Sequence, residues 1–191
     1  MIIGLTGQSG SSKSTVSRIF ADKGFFVIDA DRVSREVTAP GMPALKDIEA
    51  AFGSGFIEDD GSLARRKLGS LVFSDRHRLD ILEGILYSYI LRRIDELAEG
   101  HENVLIDAPT LFDAGCEKKC DIIIGVVADE SIRLERIKKR DNISEEDARK
   151  RFSSQHSADF FRERCDLIIE NNGTQEELIQ ETLRTADRFD I

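Results

Sequence analysis

Cysteine and proline are scarce in this 191-residue chain, with 3 of each, and no run of apolar residues is long. With so little proline and 40% apolar residues, low-complexity and collagen-like chains are excluded. The longest apolar runs, about seven residues as in Ile122–Ala128, are too short to span a bilayer. Cys116, Cys120 and Cys165 are odd in number and make no secreted disulfide framework. The C-x3-C pair lacks two further ligands at zinc spacing, so small buried thiols are expected. Positive charge is also short: 27 Lys and Arg stand against 36 Asp and Glu, a net −9. That excludes a general affinity for nucleic acid or anionic membrane through net charge, while a local basic cluster remains free to bind an anion. Met1-Ile2-Ile3-Gly4-Leu5 runs straight into an apolar strand pattern with no basic leader segment, so the cytoplasm is the expected location.

What the chain does have is apolar periodicity that changes along its length. Short β-rich runs at Ile2–Thr6, Phe25–Asp29, Val104–Asp107, Asp121–Ala128 and Leu167–Glu170 are mostly continuously apolar, the pattern of strands covered on both faces. Alternating with helical patterns, they predict a five-stranded parallel sheet in a three-layer α/β/α sandwich. The long gap between the second and third strands holds an insertion. There Leu79, Leu82, Leu86, Ile90, Ile94 and Leu97 recur at steps of three and four, marking one long helix, and Ala44–Phe52 and Leu63–Phe73 read as shorter ones. Residues 31–102 are therefore expected to form a helical subdomain, with residues 1–30 and 103–191 as the core. Thr174-Gln175-Glu176-Glu177 has capping-box spacing and predicts a closing helix.

Gly7-Gln8-Ser9-Gly10-Ser11-Ser12-Lys13-Ser14-Thr15 lies between the first predicted strand and a predicted helix, and is nearly G-x4-G-K-[ST]. Polyphosphate binding requires small residues whose backbone N–H groups curl around oxygens, a lysine against the β/γ charge, and a hydroxyl for Mg²⁺. Gly7, Gly10, Lys13 and Ser14 fill those roles, with Ser11, Ser12 and Thr15 completing a nucleotide-binding loop. Ser12 departs from the pattern, which has glycine there, and its Cβ is a cost wherever the backbone is unusual. The alternative is a bland Gly/Ser turn.

The second strand ends in Ile28-Asp29-Ala30-Asp31, two carboxylates at the sheet edge where open α/β folds bind ligands. A carboxylate there either accepts a proton from an attacking hydroxyl or holds Mg²⁺, unless Asp31 caps the helix that follows.

The loop, Ile28-Asp29-Ala30-Asp31, the stretch Val37–Ala44, Asp60-Gly61-Ser62-Leu63, Asp107-Ala108-Pro109-Thr110-Leu111-Phe112, the residues Arg133 to Arg140, Arg151, Gln155 and Ile169–Gly173 occur in an order and spacing that resemble the dephospho-CoA kinase family over nearly the whole chain. The resemblance implies ATP- and Mg²⁺-dependent phosphorylation of the ribose 3′-hydroxyl of dephospho-CoA, a P-loop core, a helical CoA-substrate domain, and a helical lid over about residues 136–158. It makes Asp31 the catalytic base with Asp29 beside it, and gives Lys13 and Arg140 the phosphates. Asn171 then borders the adenine pocket, and Ser14, Asp29 and Asp107 form the metal shell. Two departures stand out: Tyr87-Ser88 where the family has His-Pro, and Thr110-Leu111-Phe112-Asp113 where Leu-Leu-Phe-Glu is common.

Charge supports the lid independently. Residues 133–151 carry eight basic and five acidic side chains, a local +3 within a chain of −9, which suits an anionic ligand. Helical i,i+4 pairing such as Glu146–Lys150 accounts for Lys138, Lys139 and Lys150. Two rival functions fit the same motifs: a related kinase acting on a nucleoside or nucleotide, and a catalytically impaired nucleotide-binding paralogue. His77 and His101 read as exposed surface residues, and Glu58-Asp59-Asp60-Gly61 as a turn.

Overall fold

Strands β1 (Ile2–Gly7), β2 (Phe26–Asp29), β3 (Val104–Asp107), β4 (Ile122–Val127) and β5 (Leu167–Glu170) form one parallel sheet in the order β2-β3-β1-β4-β5 in the computed structural model, which describes residues 1–189. The predicted strands all form, within about two residues at each end. β1 is central. Ile2 pairs with Val104 and Leu5 with Asp107 on one side, and Gly7 with Val126 on the other, so the loop after β1 leaves the sheet at its C-terminal edge.

Side chains alternate across the sheet. Ile3, Leu5, Leu105, Ile124, Val126 and Ile169 share a buried cluster with Val16 and Phe20 of α1 (Lys13–Asp22) and Leu178 and Ala186 of α9 (Gln175–Ala186). The opposite face has glycines where the neighbours press closest. A Cβ on Gly4 would meet Cys120 Sγ at 2.8 Å, and one on Gly125 would meet Cys165 Sγ at the same distance. All three cysteines are free thiols: Cys116 is buried as expected, while Cys120 and Cys165 are half-buried. The same part of the chain also carries α6 (Glu130–Asp141), α7 (Glu145–Ser153) and α8 (Ala158–Arg164). α6 and α7 pair around Leu134, Ile137 and Ala148.

By its contacts the chain divides into two compact units, Met1–Ile28 with Gly100–Ile191, and Asp29–Glu99. The second unit is all-helical apart from a single β-bridge between Ile57 and Leu63. It contains α2 (Ala30–Val37), α3 (Pro43–Phe52), α4 (Arg65–Val72) and α5 (Arg76–Ala98), closing on Leu45, Ile48, Leu68, Val72 and Leu82. Asp75 starts the long α5 by accepting from the amides of His77 and Arg78. Asp60 and the left-handed Gly61 make the turn read from the sequence, with Asp60 accepting from the Ser62 amide. The capping box at Thr174 and Glu177 forms as predicted. His101 is exposed, yet its ring stacks flat on Phe26 at 3.7 Å. No helix among the described residues is long and apolar enough to cross a membrane.

Candidate functional site

The loop between β1 and α1 is held by its carbonyl groups, two bonded within the loop and its helix start and three from later segments. Lys13 Nζ donates to the Gly7 carbonyl at 2.8 Å, and the Gln8 carbonyl accepts from the Ser11 amide at 3.2 Å. Arg133 Nη1 donates to the Ser9 carbonyl at 3.4 Å, Arg136 Nη1 to that of Gly10 at 3.4 Å, and Asn171 Nδ2 to that of Ser11 at 2.9 Å. Five consecutive carbonyls are thus committed, while the amides of Gly10, Ser12 and Ser14 donate no hydrogen bond among the described residues. Backbone N–H groups left over in this way form an anion-binding nest at the start of a helix.

Gly10 is required twice over. Its φ is +82°, and a Cβ would lie 2.9 Å from the Arg133 carbonyl oxygen. Ser12 stands at φ 72°, ψ 35°, the left-handed region, and although it is the cap position of α1 its side chain makes no cap hydrogen bond. The strain anticipated for a non-glycine residue here is therefore real, of order 1–2 kcal/mol.

A cavity of about 410 Å³ opens beside the loop. Gly10, Ser12, Ser14 and Thr15 line it together with Arg136, Arg140 and Asn171. Its volume falls in the range of small-ligand pockets. Of the expected nucleotide-binding residues, Gly10, Ser12, Ser14, Thr15 and Asn171 line this cavity directly, while Gly7, Ser11 and Lys13 take part in the bonds that hold the loop. Asn171, expected at the border of the base pocket, also acts as a strut. Its Nδ2 is spent on Ser11, and its Oδ1 accepts from Arg136 Nη2 at 3.3 Å.

Arg140 reaches the cavity already paired. Its Nε donates to Asp141 Oδ1 at 2.6 Å and its Nη2 to Oδ2 at 2.9 Å, and Arg151 Nη1 donates to the same Oδ2. These bonds raise the Arg140 pKa and hold the Asp141 carboxyl well below the usual carboxylate range. Burial pulls Arg133 and Arg136 the other way, down from the ordinary guanidinium value.

In the second unit, the cap of α2 is Asp29 and not Asp31: the extended backbone at Asp29 turns its Oδ1 onto the Arg32 amide at 3.0 Å. Asp31 follows in the first turn, exposed and with no partner among the described residues. Asp107 closes β3 in register with Leu5.

Sequence reading missed the outer support of the loop. Arg133 is 5% exposed, stacks its guanidinium over Phe152 at 4.2 Å and donates to the Ala128 carbonyl. Gln155 accepts from the Ser9 amide at 3.1 Å and donates to the Ser9 hydroxyl, while Gln8 Nε2 donates to the His156 carbonyl at 3.3 Å. A signal was available: Arg133, Arg136 and Arg140, spaced three and four apart, share one helix face.

No group of three or more metal-ligating side chains occurs among the described residues. Mg²⁺ does not require one, because it keeps several waters and takes one or two protein oxygens beside those of phosphates. The Ser14 hydroxyl and the Asp107 carboxylate are hard oxygen donors of that kind.

A phosphate-binding loop between the central strand and a helix of a parallel sheet, overlooked by arginines on a later helix pair, defines a P-loop kinase. The fold is shared with a shikimate kinase from Bacteroides thetaiotaomicron, with a TM-score of 0.58 at 13% identity and coverage of 100% of this chain and 99% of that one. The family model described as dephospho-CoA kinase matches residues 1–177. The dephospho-CoA kinase of Fusobacterium nucleatum is 37% identical over 189 residues, 98% of this chain and 97% of that protein. A solved Thermus thermophilus structure superposes with a TM-score of 0.86 at 29% identity, covering 100% of this chain and 98% of the other. The chain belongs to the dephospho-CoA kinase family.

Proposed function

We propose that this protein transfers the γ-phosphoryl group of ATP to the ribose 3′-hydroxyl of dephospho-CoA in the cytoplasm, giving coenzyme A and ADP. The observation that carries the reading is the phosphate loop, whose tethered carbonyls leave its amides to meet an anion. Phosphoryl transfer depends on in-line placement and charge neutralisation more than on covalent chemistry from the protein. The amides and Lys13 hold the phosphates, and Arg140 meets the charge on the transferring group. Residues 136–158 act as the lid that excludes water, and residues 31–102 hold the acceptor. Ser14 and Asp107 are the residues suited to hold Mg²⁺, which when bound neutralises phosphate charge; Asp29, expected beside them, has one oxygen committed to capping α2.

Asp31 is the proton acceptor in this reading. It is supported by an exposed carboxylate that its own helix start does not consume, because Asp29 does the capping. Asp31→Asn is expected to lower kcat at least about 100-fold, the contribution typical of a positioned base. Turnover within threefold of wild type would remove Asp31 from that role. Coupled ADP release with dephospho-CoA against a panel of nucleosides and nucleotides tests the acceptor: turnover confined to a nucleoside rejects the assignment. Tight ATP binding with no product from any acceptor indicates an impaired paralogue.

A further inference from the structure

Asp141 occupies a position that helix electrostatics disfavours. It is the last residue of α6, where the exposed carbonyls carry partial negative charge and favour cations. Lys138, Lys139 and Arg140 suit that end and Asp141 does not. What compensates is two guanidinium groups: Arg140 from α6, bound through Nε and Nη2, and Arg151 from α7, bound through Nη1 to the same oxygen that receives Arg140 Nη2. Exposed ion pairs contribute little to stability, and Arg140 is 62% exposed and Arg151 42%, whereas Asp141 is only 23% exposed. Two like charges drawn together on one carboxylate leave a net +1, and their remaining N–H groups are free of Asp141. Arg140 lines the cavity together with Ser14 and Thr15.

We infer that Asp141 is a positioning residue that joins Arg140 and Arg151 into one two-guanidinium clamp for the nucleotide polyphosphate, making Arg151 a second member of the anion site. The inference rests on the kinase reading above. Asp141 neither meets the substrate nor moves a proton. It stops the two arginines from repelling each other and sets the edge each presents, so its loss weakens contacts that tighten as charge develops on the transferring group.

The test is a double-mutant cycle on the full-length enzyme with ATP and dephospho-CoA, using Asp141→Asn, Arg151→Gln and the pair. Each single variant is expected to lower kcat at least tenfold with the KM for ATP within threefold. The double variant falls no further than the worse single one, because the groups act as a unit. A role confined to holding α6 on α7 would shift the melting temperature and leave the kinetics of the folded enzyme untouched. Asp141→Asn with kcat within threefold of wild type, or losses that multiply in the double variant, overturns the inference. If Asp141→Asn does not fold, the exposed Arg151→Gln decides alone, and unchanged kcat overturns it. Wild-type turnover is measured first: its absence with dephospho-CoA rejects the acceptor assignment, and the cycle is then read with the acceptor that is used.

Discussion

The side-chain amide of Asn171 donates to the carbonyl of Ser11 at 2.9 Å, tying the residue after β5 to a loop 160 positions earlier in the chain. Both residues are almost wholly buried, so the bond has little competition from water. The same Asn171 accepts from Arg136, which in turn donates to Gly10, so one amide and one guanidinium together set two carbonyls of the phosphate loop.

Replacing Asn171 by Ala strands the buried Ser11 carbonyl and frees the Arg136 fork. The expected cost is about 1–3 kcal/mol, the desolvation penalty of an unpaired buried group. At this chain length it is read as a melting point lower by about 2–12 °C. ATP affinity falls as well, measured by calorimetry, because the loop amides lose their backing. Unchanged affinity with a lowered melting point would make the strut purely structural.

Ser12→Gly acts in the opposite direction on stability. Relief of the left-handed strain gains about 1–2 kcal/mol, and the extra freedom of glycine in the unfolded chain takes back about 0.5–1 kcal/mol. The net of about 0–1.5 kcal/mol is a melting temperature higher by up to about 6 °C in calorimetric scans. A decrease would mean that the Ser12 side chain contributes more to the loop than its conformation costs.

The thiols of Cys120 and Cys165 are pushed up to about 12 by burial. In the unfolded chain a cysteine titrates near 8.5. Folding therefore favours the neutral thiol, a contribution fully present below about pH 8.5 and lost as pH rises towards 12. Denaturant midpoints are expected to fall between about pH 8.5 and 10.5, with a shallower slope in Cys120→Ala and Cys165→Ala. At pH 8 a thiol reagent is expected to label the native enzyme far more slowly than the unfolded chain, since the thiolate is the reactive form.

Gly10→Ala places a Cβ against the Arg133 carbonyl at 2.9 Å in a backbone region where side chains are strained. Since the clash is with backbone, the loop must move. Both stability and nucleotide binding are expected to fall, by at least tenfold in ATP affinity. Retention of wild-type affinity would mean that the loop relaxes without losing its nest.

The departures from the family pattern take on physical content in the structure. Asp113 lies 2.9 Å from His156 Nε2, and the His156 ring stacks on Phe160 at 3.8 Å. The same residue's carbonyl receives Gln8, so the segment after α7 is fastened both to the phosphate loop and to the stretch after β3. At Tyr87-Ser88, Ser88 donates back to the Ile85 carbonyl within the helix, and α5 runs through without a break.

Elements carried by periodicity were legible along the chain: the apolar strands, the long α5, and the capping box at Thr174. So was the phosphate loop, because its glycines and lysine are consecutive and their chemistry depends on neighbours in sequence. The identity of the α2 cap was not, since Asp29 and Asp31 are both good caps and only the backbone angle where the strand ends decides between them. Nor was the support of the loop by Arg133, Gln155 and Asn171, or the gathering of Arg140 and Arg151 on Asp141. Apart from the shared helix face of Arg133, Arg136 and Arg140, no local pattern registers those contacts, because most of them join groups far apart in sequence or on separate helices. They exist because a parallel sheet brings the end of β5 and the α6–α7 pair back to the edge where β1 gives way to its loop, and carbonyls shut away from water there must find donors.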